Sequence, residues 1–83
     1  MDHQAVLEFD YRSSSQAITV QRSVSLEAGD IEGDRTRASV DRDGATLTVT
    51  IDAADLVALR AGCNTWLSLV DVAEQCAGAE ARA

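Results

Sequence analysis

Apolar residues recur along Ala53–Cys76 at helical spacing, and they do so on two sides. One stripe runs Leu56, Leu59, Cys63, Leu67 and Val70; a second runs Ala58, Trp66, Leu69, Val72 and Cys76. A surface helix of a small domain usually shows one apolar stripe and one polar face. The pattern predicts a long helix whose first stripe packs on the chain's own sheet and whose second meets another chain. Trp66, on that second stripe, is expected to be an interface or core anchor, because Trp is enriched where interfaces concentrate their energy.

Upstream the period shortens to two. In Gln4–Tyr11 the residues Ala5, Leu7, Phe9 and Tyr11 alternate with Glu8 and Asp10, which predicts a half-buried strand. Ala45–Ile51 alternates more regularly still, with Leu47, Val49 and Ile51 against Thr46, Thr48 and Thr50. Arg35–Arg42 precedes it, and Asp43-Gly44 between the two predicts a hairpin with a type I′ turn. Asp52 is the expected cap of the long helix, with Asp55 in its first turn near the positive end of the dipole. Gln16–Ala28 serves two readings. Ala17, Val20 and Val24 fit a helical stripe, and Ser13 with Gln16 fits a capping box, yet Ile18, Val20, Val24 and Leu26 alternate as a strand would. Gly29–Asp34 reads as a loop and Ala77–Ala83 as a weakly specified tail.

These elements fit an α+β fold of order β-α-β-β-α: a three-stranded antiparallel-type sheet with two helices packed on one face. The most regular strand belongs in the centre, which leaves Gln4–Tyr11 and Arg35–Arg42 as edges open to pairing. Residues 1–83 make one domain. So small a chain buries only roughly 60% of its unfolded surface, and it gains from oligomerisation. A homodimer is the expected state.

Composition narrows the function. The formal net charge is −7, all seven basic residues are Arg, and Lys and Pro are absent. That balance fits a proteome adapted to high salt better than the Arg and Ala enrichment of a GC-rich genome. It also opposes autonomous nucleic-acid binding, which needs a basic patch. Arg35 and Arg37 alternate onto the face of Ser39 and are the candidate phosphate contacts, although solvated strand positions explain them as well. Cys63 and Cys76 would lie ~20 Å apart on one helix, beyond disulfide reach. They read as small apolar residues in a reducing compartment. No apolar run reaches membrane-spanning length and the first residues do not resemble a signal peptide, so a soluble, cytoplasmic protein is expected.

A catalytic constellation does not emerge. His3 is the sole His, and with two Cys it lacks zinc-ligand spacing. The five glycines form no phosphate loop. Ser13–Ser15 are explained as caps, and Asp41 and Asp43 as turn residues. The expectation is a protein that is not an enzyme and holds no metal or cofactor. The rival is a small ligand-binding oligomer of dodecin-like type, in which Trp66 would stack on an aromatic ligand; one Trp, one Tyr and one Phe argue against it.

One neighbourhood is distinctive. Ile51-Asp52-Ala53 enters the long helix after the Asp-Gly hairpin, and Leu59-Arg60-Ala61, Asn64-Thr65 and Leu67 follow. This resembles the Pcc/CTAG family, the small dimerising subunit of the KEOPS complex, over roughly residues 5 to 76. Gln16–Glu27, ending Ser25-Leu26-Glu27, resembles the family's first helix, without the usual Pro before Glu27; Thr65 stands where Ser is commoner. The resemblance implies that Gln16–Ala28 is helical. It implies a role in making threonylcarbamoyladenosine in tRNA, with catalysis left to a separate ATP- and metal-binding subunit that docks on the helices. Arg60, Asn64, Trp66, Leu69 and Val72 are then the expected partner-binding residues. tRNA is met only within the complex, with Arg35 and Arg37 as its expected contacts.

Overall fold

The computed structural model describes the backbone of residues 2–31 and 35–82, and the side chains of 2–26 and 35–76. Five elements follow in order: β1 His3–Asp10, α1 Ser14–Ile31, β2 Thr36–Asp43, β3 Thr46–Ala53 and α2 Leu56–Arg82. The sheet order is β1-β3-β2, and both outer strands run antiparallel to β3. The most regular strand is therefore central, as its alternation required: Leu47, Val49, Ile51 and Ala53 are buried, while Thr46, Thr48, Thr50 and Asp52 face the other side. Both helices cover the buried face. Val20 and Val24 of α1 and Trp66, Val70 and Ala73 of α2 close the core over Leu47, Val49 and Ile51.

The ambiguous segment is a helix. Ala17, Val20 and Val24 are its buried stripe, and Ser13 Oγ accepts the Gln16 backbone N–H at 3.2 Å, which satisfies one of the free donors of the first turn. The β-branched residues are accommodated because tertiary burial outweighs their small intrinsic preference. α1 continues through Ile31, so the first half of the expected Gly29–Asp34 loop is helical; residues 32–34 lie outside the described residues. The expected tail is likewise helical, since α2 runs to Arg82 through an Ala-rich stretch of high helix propensity.

Two local expectations are corrected. The hairpin stands, but Asp43 pairs with Thr46, so the turn's central residues are Gly44 and Ala45. Only Gly44 has positive φ, +61°, the arrangement of a type II′ rather than a type I′ turn. Arg42 reinforces it by donating from Nη1 to the Gly44 carbonyl at 2.9 Å. The cap of α2 is Asp55, not Asp52. Asp55 Oδ1 accepts the Ala58 N–H at 2.8 Å. Asp52 is held in β3, where its carboxylate accepts from Gln4 Nε2 at 3.0 Å.

Candidate docking surface

Among the described residues, most of the exposed large hydrophobic side chains lie on α2: Leu56, Val57, Leu67 and Val72, against Val6 and Leu26 elsewhere. Each helical residue advances about 100° around the axis. The residues turned to the sheet are Trp66, Val70 and Ala73, with Leu59, Cys63 and Leu69 partly buried beside them. Trp66 is only 3% exposed. It therefore belongs to the core and is not available as a partner anchor or as a stacking platform for an aromatic ligand. Leu67, assigned to the sheet by its spacing, is instead 46% exposed. The two stripes are real, but the core-facing direction falls between them, so each stripe is divided between core and solvent.

One flank of α2 faces α1. Leu69, Val72 and Cys76 lie along it, and with Asn64, Thr65, Ser68 and Ala73 of α2 and Ser23 and Val24 of α1 they line an open groove of about 630 Å³. Three expected partner-binding residues, Asn64, Leu69 and Val72, thus meet in one place. Val72 stands at 58% exposure, while Leu69 is half-buried and also supports the core. Arg60 is exposed but does not line this groove, and Trp66 lies beneath α2. Ser23 and Val24 escaped sequence reading because the packing of α1 on α2 leaves no mark in local periodicity. Thr65 adds little polarity to the groove, since its Oγ1 donates back to the Ala61 carbonyl at 2.9 Å.

The opposite flank carries Leu56, Cys63, Leu67 and Glu74 and looks toward β1. Glu74 Oε2 accepts a hydrogen bond from Tyr11 Oη, just past the end of β1, at 3.4 Å. Burial, and then the charge and hydrogen bond of Glu74, push the Tyr11 phenol well above its usual range.

The two arginines part company. Arg35 lies in the turn before β2 and its guanidinium pairs with Asp55 at the start of α2; both are exposed, so the pair contributes at most about 1 kcal/mol. Arg37 stands on the open sheet face in register with Asp52 and Gln4. Among the described residues no group of three or more His, Cys, Asp or Glu gathers where it could hold a metal ion, and no helix is long and apolar enough to cross a membrane.

This arrangement offers binding surface along a helix pair. Comparison with family models matches residues 4–78 to the Pcc1 family, described as transcription factor Pcc1. Among curated proteins none matches. The matched span takes in β1 from Gln4 onward, all of β2, the hairpin and every residue that lines the groove. With nearly all of its length covered, the chain belongs to the Pcc1 family, the family of the KEOPS subunit Pcc1.

Proposed function

We propose that this chain is the non-catalytic, homodimeric docking subunit of a KEOPS-type complex that makes threonylcarbamoyladenosine in tRNA. Its α1–α2 groove receives the catalytic ATP-binding subunit. The observation that carries this reading is Val72, held more than half exposed on the rim of an apolar groove whose floor is Val24, Leu69 and Ala73. Fully burying a Val side chain contributes about 1.5 kcal/mol or more, so several such residues along one helix supply useful affinity. An amphipathic helix laid in a groove between two helices is a recurrent way to bury such a surface.

The acidic charge supports a division of labour. At −7 the chain repels phosphate, so tRNA is held by the assembled complex rather than by this subunit alone. Arg37, exposed on the open sheet face, remains available as a contact there. The decisive experiment is calorimetric titration of the purified catalytic subunit into wild-type chain and Val72→Asp. A buried, unpaired carboxylate lowers affinity at least a hundredfold. Equal affinity for the two would move docking off this groove.

A further inference from the structure

The groove between α1 and α2 is uncharged in a chain where 25% of residues are charged. Among the described residues that line it, none is Asp, Glu, Arg or Lys. Its α2 wall also changes character along its length. Asn64, Thr65 and Ser68 come first and are polar; Leu69, Val72, Ala73 and Cys76 follow and are apolar. At ~1.5 Å per residue the wall spans ~18 Å, so its two ends meet different parts of whatever lies in the groove. The docking reading so far uses the apolar end alone.

The polar groups of the other end are not equivalent. Thr65 Oγ1 donates to the Ala61 carbonyl at 2.9 Å, and Ser23 Oγ, across on α1, donates to the Thr19 carbonyl at 3.2 Å. Both hydroxyls have given their proton and keep only lone pairs to offer. Asn64 is exposed, and among the described residues its amide makes no hydrogen bond within the chain. It offers two N–H donors and one carbonyl acceptor. Water satisfies that amide in the free subunit. A helix laid in the groove displaces the water, and an amide left unpaired there opposes binding.

We infer that Asn64 is the specificity residue of the docking groove: it pairs with a side-chain amide, of Asn or Gln, on the partner's helix, and so sets the direction and register in which that helix lies. The inference rests on the docking reading above and adds the group that selects the partner. A carboxylate in this position would meet the lone pairs of Ser23 and Thr65 and a chain of net charge −7. A Lys or Arg head would lose its water with no carboxylate in the groove lining to replace it. An amide both donates and accepts. Its N–H groups suit the two spent hydroxyls and the Asn64 carbonyl, and its own carbonyl suits the Asn64 N–H. One uncharged polar pair in an otherwise apolar helix seam fixes register, because a slip leaves both amides unpaired. The polar end thereby chooses one placement among those that the apolar end accepts equally.

The test pairs an affinity measurement with a positional one. The purified catalytic subunit is titrated by calorimetry into wild-type chain, Asn64→Leu, Asn64→Asp and Val72→Asp. Asn64 is exposed and Leu is the better helix former, so Asn64→Leu should keep the fold and melt no lower than wild type. Its added apolar surface would tighten binding if the groove recognised apolarity alone. The amide pair instead requires affinity to fall about tenfold or more. Asn64→Asp should weaken binding as well; tighter binding would make the partner group a cation and overturn the amide. A photo-crosslinking residue in place of Gln75, which is exposed and outside the groove lining, reads the register. Wild type should capture one site on the partner, and Asn64→Leu should spread capture over sites a helical turn or more apart. Wild-type affinity in Asn64→Leu, or the same single capture site, overturns the role of Asn64; loss of binding in Val72→Asp would then leave the docking groove standing. Wild-type affinity in both Asn64→Leu and Val72→Asp overturns groove and specificity residue together.

Discussion

Tyr11 Oη donates to Glu74 Oε2 across 63 residues of sequence, tying the exit of β1 to the late turns of α2. The phenol is raised by burial and by that carboxylate, so its folded value lies above its unfolded one of about 10. The folded chain therefore holds this proton more tightly. The contribution is fully present below pH ~10 and is lost as pH rises from there toward the folded value. Chemical denaturation between pH 9 and 11.5 should show stability falling with pH in wild type. In Tyr11→Phe that slope should flatten, with a loss of about 1 kcal/mol at neutral pH.

Asp55 holds the first turn of α2, and its cap bond of 2.8 Å is short for a backbone donor. Asp55→Ala should cost about 1 kcal/mol, or ~4–8 °C in melting temperature for a domain of this size. Asp52→Ala, which removes only an exposed bond to Gln4, should cost less. Equal losses measured by calorimetry would mean that the Asp55 cap stabilises the chain no more than the exposed Gln4–Asp52 bond does.

Gly44 takes φ +61° with open space around its α-carbon. Gly44→Ala meets no steric neighbour, so its cost is the backbone penalty alone, about 1–2 kcal/mol. A type II′ turn confines that penalty to the first central position, so Ala45→Gly should not stabilise the hairpin. Urea denaturation of both variants tests this.

Aspartate substitutions along α2 should sort by flank. Val72→Asp and Leu67→Asp should keep the fold, because both residues are exposed and neither belongs to the buried core. Val72→Asp alone should lose the catalytic subunit. Leu59→Asp should unfold or strongly destabilise the domain, since it packs on the core beside Trp66. Leu69→Asp should do some of both, because Leu69 lines the groove and supports the core. Circular dichroism alongside the titration separates these outcomes.

Isolated protein should bind tRNA no more tightly than micromolar at moderate salt, given its net charge of −7. Arg37→Ala should weaken tRNA binding by the assembled complex more than Arg35→Ala, because Arg35 is already paired with Asp55. Filter binding with and without the other subunits checks both statements.

Periodicity and turn chemistry by themselves determined most of the architecture. The strict alternation around Leu47, Val49 and Ile51 has room for one placement only, the centre of a sheet covered on one side. Asp-Gly required a hairpin, and Ser13 three residues before Gln16 marked a helix start that the structure keeps. The family resemblance carried by Leu59-Arg60-Ala61 and Asn64-Thr65 agrees with the family model matched over residues 4–78. What the sequence left undecided are choices between neighbours of equal local merit. Asp52 and Asp55 are both sound caps, and pairing of β3 through Ala53 with β1 and β2 claims the first for the sheet. Trp66 and Leu67 are adjacent and both apolar, so spacing reveals that the apolar arc is wide but not where its centre lies. The sheet and α1 set that centre from outside the helix. Trp66 faces inward, in one buried cluster with Ile51 and Val49, and Leu67, about 100° farther round, is exposed.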